Sequence, residues 1–174
     1  MIKFLLFLTL FFSADVRAEG SSMRSMAPTE VIDKHEPPPV PEDWAVVPSP
    51  FADVYAAQGD KPTALRLSRH LASSLPRLAK ELDVPVGNRI HVVVAPTQKE
   101  FHALQPGKAP DWADGTAWPQ RGWIFLRAPR LRGQAAESLE MVLDHELVHV
   151  LLGRAFGDRP VPRWLQEGSA QLMA

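Results

Sequence analysis

Apolar positions recur along this chain with two different periods. Leu67, Leu71, Leu75, Leu78 and Leu82 follow one another at spacings of four, four, three and four, which makes one face of an α-helix. Asp60-Lys61-Pro62 ahead of them offers an N-cap residue and a proline for the first turn. Pro76 falls inside the run and predicts a kink or break, because it has no N–H and its ring crowds the preceding turn. Arg89 to Ala95 (RIHVVVA) is rich in β-branched residues and predicts a strand, with His91 on an exposed face between valines. Gly122 to Leu126 (GWIFL) predicts a second strand. Thr97 and Glu100 form a capping box that opens a short helix towards Leu104. Gln105 to Trp118, with glycine and proline at intervals, reads as loop. Gln134 to Leu152 is the longest predicted helix. Its stripe of Leu139, Val142, Leu143, Leu147, Val150 and Leu151 is interrupted at Glu146, and Gly153 or Gly157 can end it. Pro162 then sits in the first turn of a further helix that carries Glu167.

The N-terminal third is different. Lys3 precedes Phe4 to Phe12, apolar except for Thr9, and Val16-Arg17-Ala18 suits a signal peptidase. Residues 1–18 therefore read as a secretory signal. Nine residues of helix cover only about half of a bilayer core, so a cleaved signal is expected rather than a stable membrane span. Seven of the 17 prolines lie between Pro28 and Pro50, and residues 19–50 read as a stiff, Pro-rich linker. Residues 51–174 remain as one domain, long enough to bury a core. With no cysteine, an exported protein of this kind has neither disulfides nor thiolate ligands. The net charge of -1 gives no basic stripe of the kind that binds nucleic acid.

The candidate chemistry lies in His145-Glu146-Leu147-Val148-His149. Histidines four residues apart on a helix share a face, one turn apart, and can reach one metal ion. Glu146 sits beside that site as a candidate general base. Imidazole and carboxylate ligands suit Zn2+, and a catalytic site keeps three protein ligands and one open position. Glu167 lies 18 residues after His149 on the next predicted helix, and the turn from Gly153 to Pro162 could fold one helix against the other. Glu167 is thus the candidate third ligand. A charged Glu146 on a mostly buried helix is costly unless something pairs with it, and a metal removes that difficulty.

The segment His145 to Ala170 resembles the gluzincin metallopeptidases, and more narrowly the peptidase MA-like family, in which HExxH is followed by a Pro-x-Trp-Leu-x-Glu-Gly-x-Ala helix. Pro162-Arg163-Trp164-Leu165-Gln166-Glu167-Gly168-Ser169-Ala170 matches that pattern. The upstream order also fits over roughly residues 60–174: Ile90 to Val94, a short helix, Gly115-Thr116-Ala117, then Trp123 to Leu126. The resemblance implies an α+β, zincin-like fold. In it a small antiparallel or mixed sheet packs on the HExxH helix, which a glutamate-bearing helix follows. It implies zinc ligands His145, His149 and Glu167, catalytic base Glu146, and Gly122 to Leu126 as the edge strand that binds an extended peptide. Two departures stand out. Gln171 occupies the place of an aspartate that orients the first histidine in many gluzincins. The further helices that such proteins carry after the glutamate, with their substrate wall and oxyanion donor, have no counterpart after Glu167, and the only tyrosine is Tyr55.

The expectation is a secreted or periplasmic zinc metallopeptidase acting on a peptide or protein substrate. The alternatives are a zinc-binding but inactive interaction module of the cell envelope, and a metal-free module docking through its Pro-rich segment. Trp112, Trp118 and Trp123 are read as packing residues before groove residues. Arg127, Arg130 and Arg132 are read as a solvated turn. His35, His70 and His102 receive no role.

Overall fold

The computed structural model describes residues 36–133, 136–157 and 159–174. The expected signal and the first part of the linker, with His35, lie outside them. The architecture is α+β: a five-stranded mixed sheet and four helices. In chain order the elements are β1 (Ala45–Pro48), β2 (Ala52–Ala56), α1 (Lys61–Glu81), β3 (Ile90–Ala95), α2 (Gln98–Ala103), β4 (Gly115–Trp118), β5 (Trp123–Arg127), α3 (Leu139–Phe156) and α4 (Arg163–Met173).

The sheet order is β1-β2-β3-β5-β4. The three inner strands β2, β3 and β5 run parallel, and the edges β1 and β4 are antiparallel to their neighbours. All six residues of β3 are buried, as a central strand covered on both faces requires. Ile90, Val92 and Val94 join Val54, Ile124 and Leu126 beneath α1 and α3. Val93, Ala95, Tyr55 and Phe125 face the other way, onto Phe101 of α2 and onto Trp44. His91 shares this second face and is only 5% exposed, which corrects the expectation of an exposed histidine. Its polarity is satisfied by Tyr55, whose hydroxyl lies 3.0 Å from Nδ1.

The described part of the Pro-rich segment is anchored at points, although Pro37, Pro39, Pro41, Pro48 and Pro50 stay exposed. Pro38 and Trp44 are buried, Trp123 Nε1 donates to the Glu36 carbonyl at 2.9 Å, and β1 lies wholly within residues 19–50. Other expectations need correction as well. Of the kink or break expected at Pro76, the break does not occur, and α1 continues through it. Ala72, whose carbonyl loses its donor there, is exposed, so water can bond it instead. The segment read as loop up to Trp118 ends in strand β4. The arginine cluster is only partly a solvated turn: Arg130 is exposed and pairs with Asp60 at 2.5 Å, whereas Arg127 is buried and the buried side chain of Arg132 pairs with Asp114 at 3.0 Å.

α3 starts later than its pattern predicted. Ser138 is the N-cap, its side chain accepting from Met141 N–H, and Gly157, at φ 59°, closes the helix. Gln134 and Ala135 are outside the described residues. Leu143, Leu147, Val150 and Leu151 are fully buried against sheet and α1, each contributing about 1.5–3 kcal/mol of apolar burial. Charged pairs tie α3 to α1: Arg66 to Glu140 at 2.5 Å, His70 to Asp144 at 2.8 Å and Arg77 to Asp144 at 3.1 Å. At its other end α3 passes close to the β4–β5 turn. A Cβ at Gly153 would stand 2.2 Å from Pro119, so only glycine permits this approach. The contact sets α3 beside the edge strand β4.

Candidate metal centre

Helical spacing puts His145 and His149 on one face of α3, and their Nε2 atoms are 3.2 Å apart. Pro162 starts α4, which lies against α3 and turns Glu167 towards the pair. Glu167 Oε2 is 3.6 Å from His145 Nε2 and 3.8 Å from His149 Nε2. The sequence-predicted ligands are therefore brought together. A point equidistant from the three atoms lies about 2.1 Å from each, within the range of Zn–N and Zn–O bonds. The donor set of two imidazoles and one carboxylate fits zinc equally well. Arg163, one turn before Glu167, approaches its other oxygen, Oε1, at 3.9 Å.

Burial lowers the pKa of His149, the neighbouring His145 lowers it further, and Glu167 opposes both. The net effect favours neutral imidazole, the form that donates to a metal. Glu146 is 8% exposed. Burial, then the charge of Glu167, pushes its carboxyl up to about 8. A dication at the three donors would reverse this, because a nearby opposite charge favours carboxylate.

The structure brings into the site a residue that the sequence placed only within the segment Gly115-Thr116-Ala117, with no role. Gly115 opens β4 directly opposite Glu146. A Cβ there would lie 2.8 Å from Val142 Cγ1 and 3.0 Å from Glu146 Oε1. The strand thus approaches the carboxylate closely because position 115 has no side chain. A glycine inside a strand is the signal that could have marked it.

Gly115, Thr116 and Ala117 of β4 line a cavity of about 360 Å³ with His145, Glu146 and His149. Among the described residues β4 is an edge of the sheet, and its outer backbone groups pair with no other strand. This corrects the expectation that Gly122 to Leu126 forms the edge: β5 is bonded on both sides, to β3 and β4. Trp112 stands at the rim, 79% exposed. Trp123 is buried, and Trp118 donates from Nε1 to Gln105 at 3.2 Å. Gln171 lines the adjoining cavity with His145 and Glu146. His70, given no role from the sequence, holds Asp144, the residue before His145. His102 meets exposed Asp111 at 3.2 Å, away from the metal centre. The chain matches no known protein family and no curated protein.

Proposed function

We propose that this protein is a zincin-like, zinc-dependent metallopeptidase, in which His145, His149 and Glu167 hold the metal and Glu146 is the general base. The observation that carries the reading is the convergence of three donor atoms, from two helices, at separations of 3.2, 3.6 and 3.8 Å. Bound there, Zn2+ would supply Lewis acidity, lowering the pKa of water towards about 7 and polarising a carbonyl. β4 supplies an edge, so an extended peptide pairs with the backbone of Gly115 to Trp118 and lies across the imidazoles. Glu146, one residue from His145, accepts a proton from the attacking water and passes it to the departing amine nitrogen. As water's oxygen bonds to the carbonyl carbon, the C–N bond breaks, leaving a carboxylate and an amine. The signal-like residues 1–18 support export, and no helix among the described residues is long and apolar enough to cross a membrane.

Glu146→Gln tests the assignment. The variant is expected to keep its zinc, measured by mass spectrometry, and to lose hydrolysis of a mixed peptide library by at least about 100-fold. Turnover at the wild-type rate would refute the base. A second reading, a zinc-binding interaction module without activity, draws on Trp164 and Leu172 of α4, exposed by 74% and 87%. Full zinc content with no hydrolysis by the wild type would favour it.

A further inference from the structure

Gly153 and Gly157 follow His149 at four-residue steps, so the side of α3 that carries both imidazoles continues as bare backbone. Two cavities border this stretch, walled opposite by Pro119 and Gln120 of the β4–β5 turn. One shares Pro119 and Gln166 with the metal-site cavity and contains Arg159. The other, of about 190 Å³, contains Arg154 and Asn88. Among the described residues, no acidic side chain lines either.

Arg154 is unusually placed. Among the described residues it has no carboxylate partner; its guanidinium donates to the backbone carbonyls of Val86 and, at 3.4 Å, Arg89. A guanidinium has five N–H groups, so these bonds leave others to offer. The group is pressed against the chain: a Cβ at Gly122 would be 2.7 Å from Nη2. Burial lowers its pKa. A half-buried cation without a counter-charge is costly, and an arriving anion removes that cost.

We infer that the cavity holding Arg154 and Asn88 is a carboxylate-binding subsite, in which Arg154, with Asn88, receives a carboxylate of the bound peptide. Arginine suits the task because its planar fork matches a carboxylate. The peptide's path rests on the peptidase reading; the anion site does not. Positions 153 to 157 lie about 6–12 Å along α3 from His149, which an extended chain covers in about two to four residues. The carboxylate is therefore a chain terminus or an Asp or Glu side chain at that distance from the scissile bond.

Calorimetric titration of the full chain with N-acetylated alanine hexapeptides tests this. One has a free C-terminal acid, one a C-terminal amide, and a third set has the amide with a single Glu moved along the peptide. The free acid or one Glu-bearing amide should bind at least about tenfold more tightly than the plain amide. Preference for the acid identifies a chain terminus, and preference for one Glu position identifies a side chain. Arg154→Gln should bring the ratio to about one, and Arg154→Lys should restore part of it. If Arg154→Gln does not fold, exposed Asn88→Ala should still reduce the ratio. Equal affinities in the wild type, no binding of any peptide, or an unchanged ratio in folded Arg154→Gln would each overturn the subsite. Cleavage of the same peptides is scored separately. Acid preference without cleavage keeps the subsite and counts against the peptidase, and cleavage without acid preference does the reverse.

Discussion

Glu146 is buried beside two imidazoles, and Gly115 makes room for it. Both facts concern single side chains, and both have consequences at that scale. Gly115→Ala forces either β4 or the carboxylate to move, since the new methyl would stand 3.0 Å from Oε1. Displacement of a catalytic group by about 1 Å can cost about 100-fold. The variant is expected to keep its zinc and to lose at least about tenfold in kcat/KM. Wild-type kcat/KM would show that the glycine does not position the base. The two histidines were legible because a four-residue step on a helix has one simple geometric meaning, and Glu146 followed from its place beside His145; Glu167, 18 residues on, was reached only through the next predicted helix and the family resemblance. His91 was misread because alternation with valines signals exposure only where one sheet face is wet. β3 has no such face, and only the fold brings Tyr55, 36 residues away in sequence, to its ring.

The elements that position the site owe their place to caps, crossings and charged ties. Ser138 caps α3 through Met141 N–H. Ser138→Ala should cost about 1 kcal/mol in urea unfolding, and no loss would mean the cap is idle. His70 joins α1 to α3 through Asp144, and that hydrogen bond raises its pKa above the ordinary 6.5, against burial. A base bound more tightly to its proton in the folded state stabilises the fold fully below pH 6.5. The contribution fades as pH rises through the raised value. Wild type minus His70→Gln, compared by thermal melts from pH 5 to 9, should therefore shrink with rising pH; a flat difference would contradict the linkage. Long periodic elements were readable: α1, α3, α4, β3 and β5 lie where pattern placed them, within a few residues. Strands β1, β2 and β4 were not: β1 and β4 are four-residue strands, one of them Gly-Thr-Ala-Trp, that carry no alternation, and β2, Ala-Asp-Val-Tyr-Ala, is only five residues long. The pairing of β1 and β4 comes from neighbours, β2 and β5, that already sit on the core.

In the whole molecule, one sheet carries α1 and α3 on one face and α2 with Trp44 on the other. α4 adds little core of its own, with Ala170 alone fully buried. Its position depends on α3, so a metal that joins His145 and His149 to Glu167 would pin the last helix to the domain. Binding to the folded state alone adds about 2.7 kcal/mol at 100 times the dissociation constant. A chelator should therefore lower the melting temperature of the wild type and leave that of Glu167→Ala nearly unchanged. An equal fall in both would mean that position 167 takes no part. The account depends most on the metal itself. Zinc content by mass spectrometry, on protein purified without added metal, should be one equivalent in the wild type and far below one in Glu167→Ala. No zinc in the wild type, or a full equivalent in the variant, would contradict the assigned centre.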